Sequence, residues 1–177
     1  MAPTIYQHAQ TNDRTIYVPM NRVDIAFWSR TDYLYTDSLN GCTAVIIISP
    51  HAGILAHIAP RPSGAELNRV NAEDGDRNLR EKMQQVIDLY NANRQYFQDA
   101  RTRVVVAVYR YSIALPTTVN TIDAILNHLR LPIRTNHYDV LEPNSQRPFG
   151  HTYIVIASRG SGYWPTLYVN ERMVEYL

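Results

Sequence analysis

A cysteine and a histidine are the side chains of this sequence whose types and spacing best suit covalent chemistry. Cys42 is the single cysteine among 177 residues, and it follows Gly41 where a polar segment enters an apolar one. His57 lies fifteen residues further along the chain, between Ala56 and Ile58. A thiol attacks a carbonyl carbon when a nearby base or cation lowers its pKa. If the fold brings the two side chains together, they predict a Cys–His nucleophilic site.

The same two residues have a purely structural interpretation. A lone cysteine is commonly a small buried hydrophobe, and a lone histidine is commonly a core or surface residue. In a regular hairpin that turns at residues 51 and 52, His57 would face Ile46. It would then lie about 13 Å along the strand from Cys42. Contact would require a bulge, a longer turn, or a loop over residues 36–41 that curls back, so spacing alone leaves both interpretations open.

Composition excludes several kinds of site and partner. One cysteine forms neither a disulfide framework nor a cysteine-rich zinc site. A net charge of +1 gives no reason to expect a nucleic acid partner. No apolar run approaches the roughly 20 residues that cross a bilayer, so we expect no membrane partner. With 45% hydrophobic residues the chain can bury a core, and we expect a monomer with one domain over residues 1–177.

Lysine is almost absent from the sequence. Of the 17 Lys and Arg residues only Lys82 is lysine. A GC-rich genome, whose codons favour arginine, is one explanation, although the chain is rich in Ile and Asn. The other is that the protein works in a cytosol where lysines would be ubiquitinated, as a translocated toxin or effector does.

Residues 1–13 lack the basic and apolar regions of a signal peptide.

The elements that would carry these residues follow from hydrophobic periodicity. Residues 43–49 are continuously apolar between their ends, which predicts a central strand covered on both faces. After turn residues at 50–53, a second strand is predicted over 54–59. Residues 36–41 are typical of a loop. Residues 1–20 are predicted to be a loosely held N-terminal arm that becomes ordered near residue 16.

The remainder of the sequence predicts two helices among further strands. Residues 76–97 place apolar side chains at helical spacing, and a second helix begins at Pro116 and stops at Leu131-Pro132. Further strands are predicted over 23–34, 103–111, 133–141, 152–157 and 167–169. This order predicts an α/β (α+β) fold, with a mixed, mostly antiparallel sheet or sandwich flanked by two helices.

The residues around the cysteine resemble a known catalytic motif. Leu39-Asn40-Gly41-Cys42 is similar to the Leu-x-Gly-Cys motif of the Cys–His glutamine deamidases, which include the catalytic domain of cytotoxic necrotizing factor, Burkholderia lethal factor and the chemoreceptor deamidase CheD. Ala56-His57-Ile58-Ala59-Pro60 resembles the His-containing strand of CheD. The Cys-to-His interval matches that of cytotoxic necrotizing factor. Thr36 lies six residues before Cys42, the spacing of the third conserved residue in several members.

The resemblance extends over residues 30–160 in the order of elements and has two departures from CheD. Asn40-Gly41 stands in place of CheD's Gly-Ser pair. CheD's glycine-rich segment after the penultimate strand is missing, and Glu142-Pro143-Asn144-Ser145 stands there instead. This departure disfavours a chemoreceptor substrate and favours the toxin-like branch of the superfamily.

The resemblance implies a protein-glutamine deamidase with a CheD-like fold and neither a metal nor an organic cofactor. Cys42 would be the nucleophile, His57 the base and Thr36 the residue that orients His57. The backbone N–H of Cys42, with a second one from the loop, would stabilise the oxyanion; the loop residues are Ser38, Leu39, Asn40 and Gly41. The substrate would be a glutamine on a cytosolic host protein, a regulatory GTPase or a translation factor, reached by secretion or translocation without a cleavable signal peptide.

Other functions and other bases remain open at this point. The same fold can serve as a catalytically inactive protein-binding module, and the same Cys–His pair can serve a protease or a transglutaminase. Two further histidines could replace His57 as the base, namely His137 in His137-Tyr138-Asp139 and His151 in Gly150-His151-Thr152. Both of these segments are typical of strands.

Overall fold

The computed structural model describes residues 2–61, 72–141 and 152–174. Within them, the helices are α1 (Ile5–Thr11), α2 (Ala72–Ala92) and α3 (Pro116–His128), with a 3₁₀ turn over Arg94–Tyr96. The strands are β1 (Thr15–Tyr17), β2 (Arg22–Phe27), β3 (Tyr33–Leu39), β4 (Thr43–Ile48), β5 (Ala52–Ile58), β6 (Arg101–Tyr109), β7 (Ser112–Ile113), β8 (Thr135–Asp139), β9 (Thr152–Ala157), β10 (Thr166–Val169) and β11 (Arg172–Val174). No described helix is both long and apolar enough to cross a membrane.

These strands form two sheets that pack face to face. The first sheet has the order β1-β3-β9-β10-β11, and the second has the order β2-β5-β4-β6-β7, with β8 also paired to β6. All pairs are antiparallel except β1 with β3 and β6 with β8. The predicted α+β class, a mostly antiparallel sandwich flanked by helices, is therefore confirmed.

The apolar residues form three layers of core. Side chains of both sheets meet in the space between them, where Cys42, Ala44 and Ile46 lie with Ile154 and Ile156. The other face of the second sheet packs against α2 and α3. The outer face of the first sheet carries a smaller cluster that includes Ala9 of α1. Strand β4 lies between two of these layers, and every one of its residues is buried, as its unbroken apolar run predicts.

Two segments differ from the sequence-based expectation. The predicted N-terminal arm instead begins with α1, because Thr4 and Gln7 form a capping box that satisfies the first turn of this helix. Its strand β1 then pairs with β3. The predicted loop over residues 36–41 is strand through Leu39, because this polar stretch lies at an irregular end of β3 whose inner side chains are buried. The segment Glu142-Pro143-Asn144-Ser145 lies outside the described residues.

Candidate active site

The hairpin of β4 and β5 decides whether the cysteine and the histidine can meet. His57 pairs with Ala44, so the pairing with Ile46 expected from a turn at residues 51 and 52 is wrong. The turn falls one residue earlier, where the Ser49 N–H donates to the Ala52 carbonyl over 2.9 Å. This shift moves His57 by two residues towards Cys42.

Cys42 and His57 consequently lie on one face of the second sheet. Side chains alternate along a strand, so Cys42, two residues before Ala44, shares the face of Ala44 and of its partner His57. Cys42 belongs to the core between the two sheets, which confirms this orientation. Diagonal neighbours on adjacent antiparallel strands are about 7–8 Å apart at their Cα atoms, within reach of a long side chain. The fold thus brings both residues to one buried layer.

Thr36 approaches His57 from the opposite sheet. Its hydroxyl oxygen lies 2.7 Å from Nδ1 of His57 and 2.6 Å from the carbonyl oxygen of Val18. A carbonyl only accepts hydrogen bonds, so the single hydroxyl proton of Thr36 goes to Val18. Nδ1 of His57 must then be the donor to Thr36. This arrangement fixes the neutral tautomer in which Nε2 carries no proton.

The second ring nitrogen of His57, Nε2, is left without a proton by this arrangement. Nε2 is buried and has no hydrogen-bond partner among the described residues. A buried polar atom normally finds a partner, and exceptions often mark functional sites. An unprotonated Nε2 held in this way is suited to accept a proton from a thiol.

Strand β3 carries a bulge beside Thr36, and the side chains of Thr36 and Asp37 at this bulge have different surroundings. Its pairing with β9 shifts between Thr36 and Leu39, and Ser38 has a φ of 58°. Thr36 is completely buried on the inner side. The carboxylate of the next residue, Asp37, accepts hydrogen bonds from the hydroxyls of Tyr6 and Tyr17, at 2.5 and 2.9 Å. The bulge therefore directs a hydroxyl towards the histidine and holds an acidic group close by.

Burial keeps the cysteine and the histidine neutral. Desolvation lowers the pKa of His57 to about 4, an effect that the negative charge of Asp37 partly offsets. Desolvation also raises the pKa of the Cys42 thiol to about 11, and a hydrogen bond from the Asn40 backbone N–H opposes this increase. At neutral pH Cys42 is therefore a thiol and His57 a neutral imidazole.

A tyrosine that the sequence did not identify as a site residue contacts the cysteine backbone. The hydroxyl of Tyr138 accepts a hydrogen bond from the Gly41 N–H at 2.9 Å and donates to the Cys42 carbonyl at 2.7 Å. Because side chains alternate along β8, Tyr138 points inward while its neighbours His137 and Asp139 are exposed. That alternation was readable from the sequence, but the contact across ninety-six residues was not.

The predicted oxyanion loop divides into residues with different roles. Leu39 is a core residue with 2% exposure, whereas Ser38 is exposed. The side chain of Asn40 accepts a hydrogen bond from the Leu141 N–H at 3.1 Å. The N–H of Gly41 is occupied by Tyr138. Among these four residues, Asn40 is the one whose backbone lowers the pKa of the Cys42 thiol.

Of the two other histidines that the sequence offered as a base, the structure describes one, and it faces away from the cysteine. His137 is exposed on β8, on the side opposite Tyr138. His151 lies outside the described residues. The part of the chain that the structure describes contains no cluster of three His, Cys, Asp or Glu side chains arranged for a metal ion.

A cavity of about 340 Å³ lies at the same end of the hairpin. Thr43, which follows Cys42, and Ala59, which follows the end of β5, form one wall. The start of α3 and part of α2 also line it, whereas Cys42 and His57 do not. Cys42 itself is only 4% exposed, so access to the sulfur is narrow.

Replacing Thr36 by valine is expected to lower the free energy of unfolding by about 1–3 kcal/mol, because the Val18 carbonyl and Nδ1 of His57 lose a buried partner. Thr36→Ser is the matched control, since it keeps the hydroxyl and removes one methyl group, at a cost of about 1 kcal/mol. Urea denaturation at neutral pH measures both variants. A valine variant as stable as wild type would contradict the hydrogen-bonded geometry.

Comparison with known proteins does not assign this chain to a family. No protein-family model matches the chain, and no curated protein sequence matches it. What supports a function is therefore the arrangement of Cys42, His57 and Thr36 between the two sheets.

Proposed function

We propose that this protein is a protein-glutamine deamidase in which Cys42 is the nucleophile, His57 the base and Thr36 the orienting residue. The observation that carries the proposal is the hydrogen bond from His57 Nδ1 to Thr36, which leaves a buried and unprotonated Nε2 on the same face as Cys42. Orientation of a histidine through its second nitrogen is how catalytic triads hold their base.

The first half of the reaction forms a thioester and releases ammonia. His57 Nε2 takes the proton of the thiol while the Cys42 sulfur attacks the carboxamide carbon of a glutamine. The carbonyl oxygen becomes an oxyanion, which the backbone N–H of Cys42 and that of Asn40 are suited to stabilise. The imidazolium then protonates the amide nitrogen, so that the C–N bond breaks and ammonia leaves rather than an amide anion.

The second half regenerates the thiol. A water molecule loses a proton to His57 Nε2 and attacks the thioester carbon, and the C–S bond breaks. The imidazolium returns its proton to the Cys42 sulfur, and the target side chain remains as glutamate. In both halves His57 carries a positive charge transiently, and the nearby carboxylate of Asp37 favours that charged state. If an amine replaces water, the same site produces a transglutaminase product.

The composition of the chain supports a place of action in a host cytosol. Sixteen arginines accompany one lysine, which suits a toxin or effector that must survive in a host cytosol. The substrate would then be a glutamine on a cytosolic host protein, such as a regulatory GTPase or a translation factor. Conversion to glutamate places a negative charge where the target had a neutral amide.

A second function is favoured by one observation. Cys42 is 4% exposed and burial raises its pKa to about 11, as expected for a structural cysteine. On that basis the chain would be a catalytically inactive binding module with the same fold. A cysteine protease is a third use of the same residues, and chain cleavage distinguishes it.

Treatment of a host-cell lysate with the wild-type protein is expected to convert a specific glutamine of one protein to glutamate. Cys42→Ser should abolish this conversion, because the hydroxyl is a much weaker nucleophile with the same shape. Peptide mass spectrometry detects the conversion and identifies the target, and circular dichroism verifies that the serine variant is folded. Conversion by both proteins, or by neither, would remove the deamidase proposal. Cleaved or cross-linked peptides would instead indicate a protease or a transglutaminase.

A further inference from the structure

Three hydrogen bonds connect the end of β8 to the segment that carries the nucleophile. Two come from the hydroxyl of Tyr138, which bonds the Gly41 N–H and the Cys42 carbonyl. The third joins the Leu141 N–H to the side chain of Asn40. All three residues before β4 are thus held by β8 and the residues just after it, about a hundred positions later in the sequence.

The segment needs such a restraint because its own backbone is permissive. Gly41 has a φ of +102°, a region that glycine adopts freely and other residues avoid. A Cβ at Gly41 would have no heavy atom within 4 Å, so side-chain packing does not hold this residue. The conformation of this peptide nevertheless decides where the side chain of Cys42 lies. An external contact must therefore fix that conformation.

We propose that Tyr138 is a positioning residue for the Cys42 nucleophile. Its hydroxyl bonds the segment at both the Gly41 N–H and the Cys42 carbonyl, and it thereby holds the sulfur on the same face as His57. This inference rests on the proposed deamidase function for its catalytic consequence. The restraint of the segment itself does not depend on that function.

The hydroxyl of Tyr138 has no capacity left for proton transfer. Its single proton is donated to the Cys42 carbonyl, and it accepts the proton of the Gly41 N–H. Burial raises the pKa of Tyr138, so the phenol stays neutral. A tyrosine with 6% exposure also requires hydrogen bonds of this kind, because an unpaired buried hydroxyl is costly. Its role is therefore to hold the backbone rather than to act as an acid or base.

Tyr138→Phe tests this role with a minimal change of shape. Tyr90→Phe is the matched control, since Tyr90 has the same 6% exposure and lies on α2, on the other side of the second sheet. The first measurement is the rate at which iodoacetamide alkylates Cys42, the single thiol of the chain. We expect Tyr138→Phe to be alkylated about tenfold faster than wild type, because a released segment opens more often. Tyr90→Phe should react at the wild-type rate.

The second measurement is turnover of a small glutamine dipeptide, carbobenzoxy-glutaminyl-glycine, followed by ammonia release. Tyr138→Phe should lower kcat about tenfold or more and leave KM within about twofold, because misplacement of the sulfur impairs the chemical step rather than binding. Faster alkylation combined with slower turnover is a pattern that a change in thiol basicity alone would not produce.

The outcomes separate this inference from the proposed function. An unchanged or slower alkylation of Tyr138→Phe, or an equal acceleration in Tyr90→Phe, would overturn the positioning role. A large rise of KM in Tyr138→Phe would also overturn it, since substrate binding would then be the affected step. Failure of the lysate experiment would remove the deamidase function, whereas the alkylation rates would still show whether Tyr138 restrains the segment.

Discussion

Replacing His57 by asparagine is expected to lower the rate of glutamine deamidation about 10²–10⁴-fold, the range that a positioned general base contributes. The thiol of Cys42 has a pKa raised to about 11, so very little thiolate exists at neutral pH without a base. Asparagine can still donate a hydrogen bond to the Thr36 hydroxyl, but its amide cannot take a proton. The loss therefore affects the attack of the sulfur and the departure of ammonia together.

The matched control for this prediction is His137→Asn. His137 is exposed on β8 and faces away from the Cys42 segment, so its loss should leave the rate within about twofold, as surface substitutions usually do. Conversion of the target peptide is followed over time by mass spectrometry for wild type and both variants. If His137→Asn lost most of its deamidation rate while His57→Asn kept the wild-type rate, His57 would not be the base, and the proposed site would be wrong.

The architecture was predictable where a local pattern decides the element. The apolar run at residues 43–49 indicated a central strand, and β4 is that strand. Helical periodicity placed both long helices, although α2 ends at Ala92 rather than at residue 97. The missed helix α1 is short, and its signal is the spacing of Thr4 and Gln7 rather than an apolar stripe. Periodic hydrophobic patterns thus predicted secondary structure better than the two-residue signal of a capping box.

The site was less predictable, because its geometry depends on register. The residue types of Cys42 and His57 could be selected from the sequence, but a one-residue difference in the turn shifts the pairing by two residues and so changes the partner of His57. The Ser49 side chain accepts hydrogen bonds from the backbone of His51 and Ala52, which stabilises the tight turn. That local chemistry, rather than any feature of the catalytic motif, fixes the pairing of His57 with Ala44.

Contacts between the two sheets were beyond sequence reasoning. The spacing of Thr36 to Cys42 came from a family resemblance, whereas its contact with His57 arises because β3 and β5 belong to different sheets that pack face to face. The contact of Tyr138 with Gly41 likewise joins distant segments. Neither strand carries a local signal for its partner, since packing of sheets depends on the whole set of inward side chains.

Acidification is expected to destabilise the protein by roughly 3 kcal/mol through His57 alone. Its pKa is lowered to about 4 in the folded state, from an ordinary value near 6.5 in the unfolded state. Between these two values the unfolded chain binds a proton that the folded protein does not, so the free energy of unfolding falls as pH falls. Above pH 6.5 the residue contributes no pH dependence, and below about 4 the loss is complete.

Comparison of wild type with His57→Asn isolates this contribution from the other five histidines. Urea denaturation at several values between pH 7.5 and pH 4 should show that wild type loses stability relative to the variant, by up to roughly 1.4 kcal/mol per pH unit in that window. NMR titration of the His57 ring should give the low pKa directly. Parallel curves, or a ring that titrates near 6.5, would mean that His57 is solvated. The neutral, unprotonated Nε2 on which the deamidase proposal depends would then be absent below neutral pH, and activity would decline near pH 6.5 instead of persisting towards pH 4.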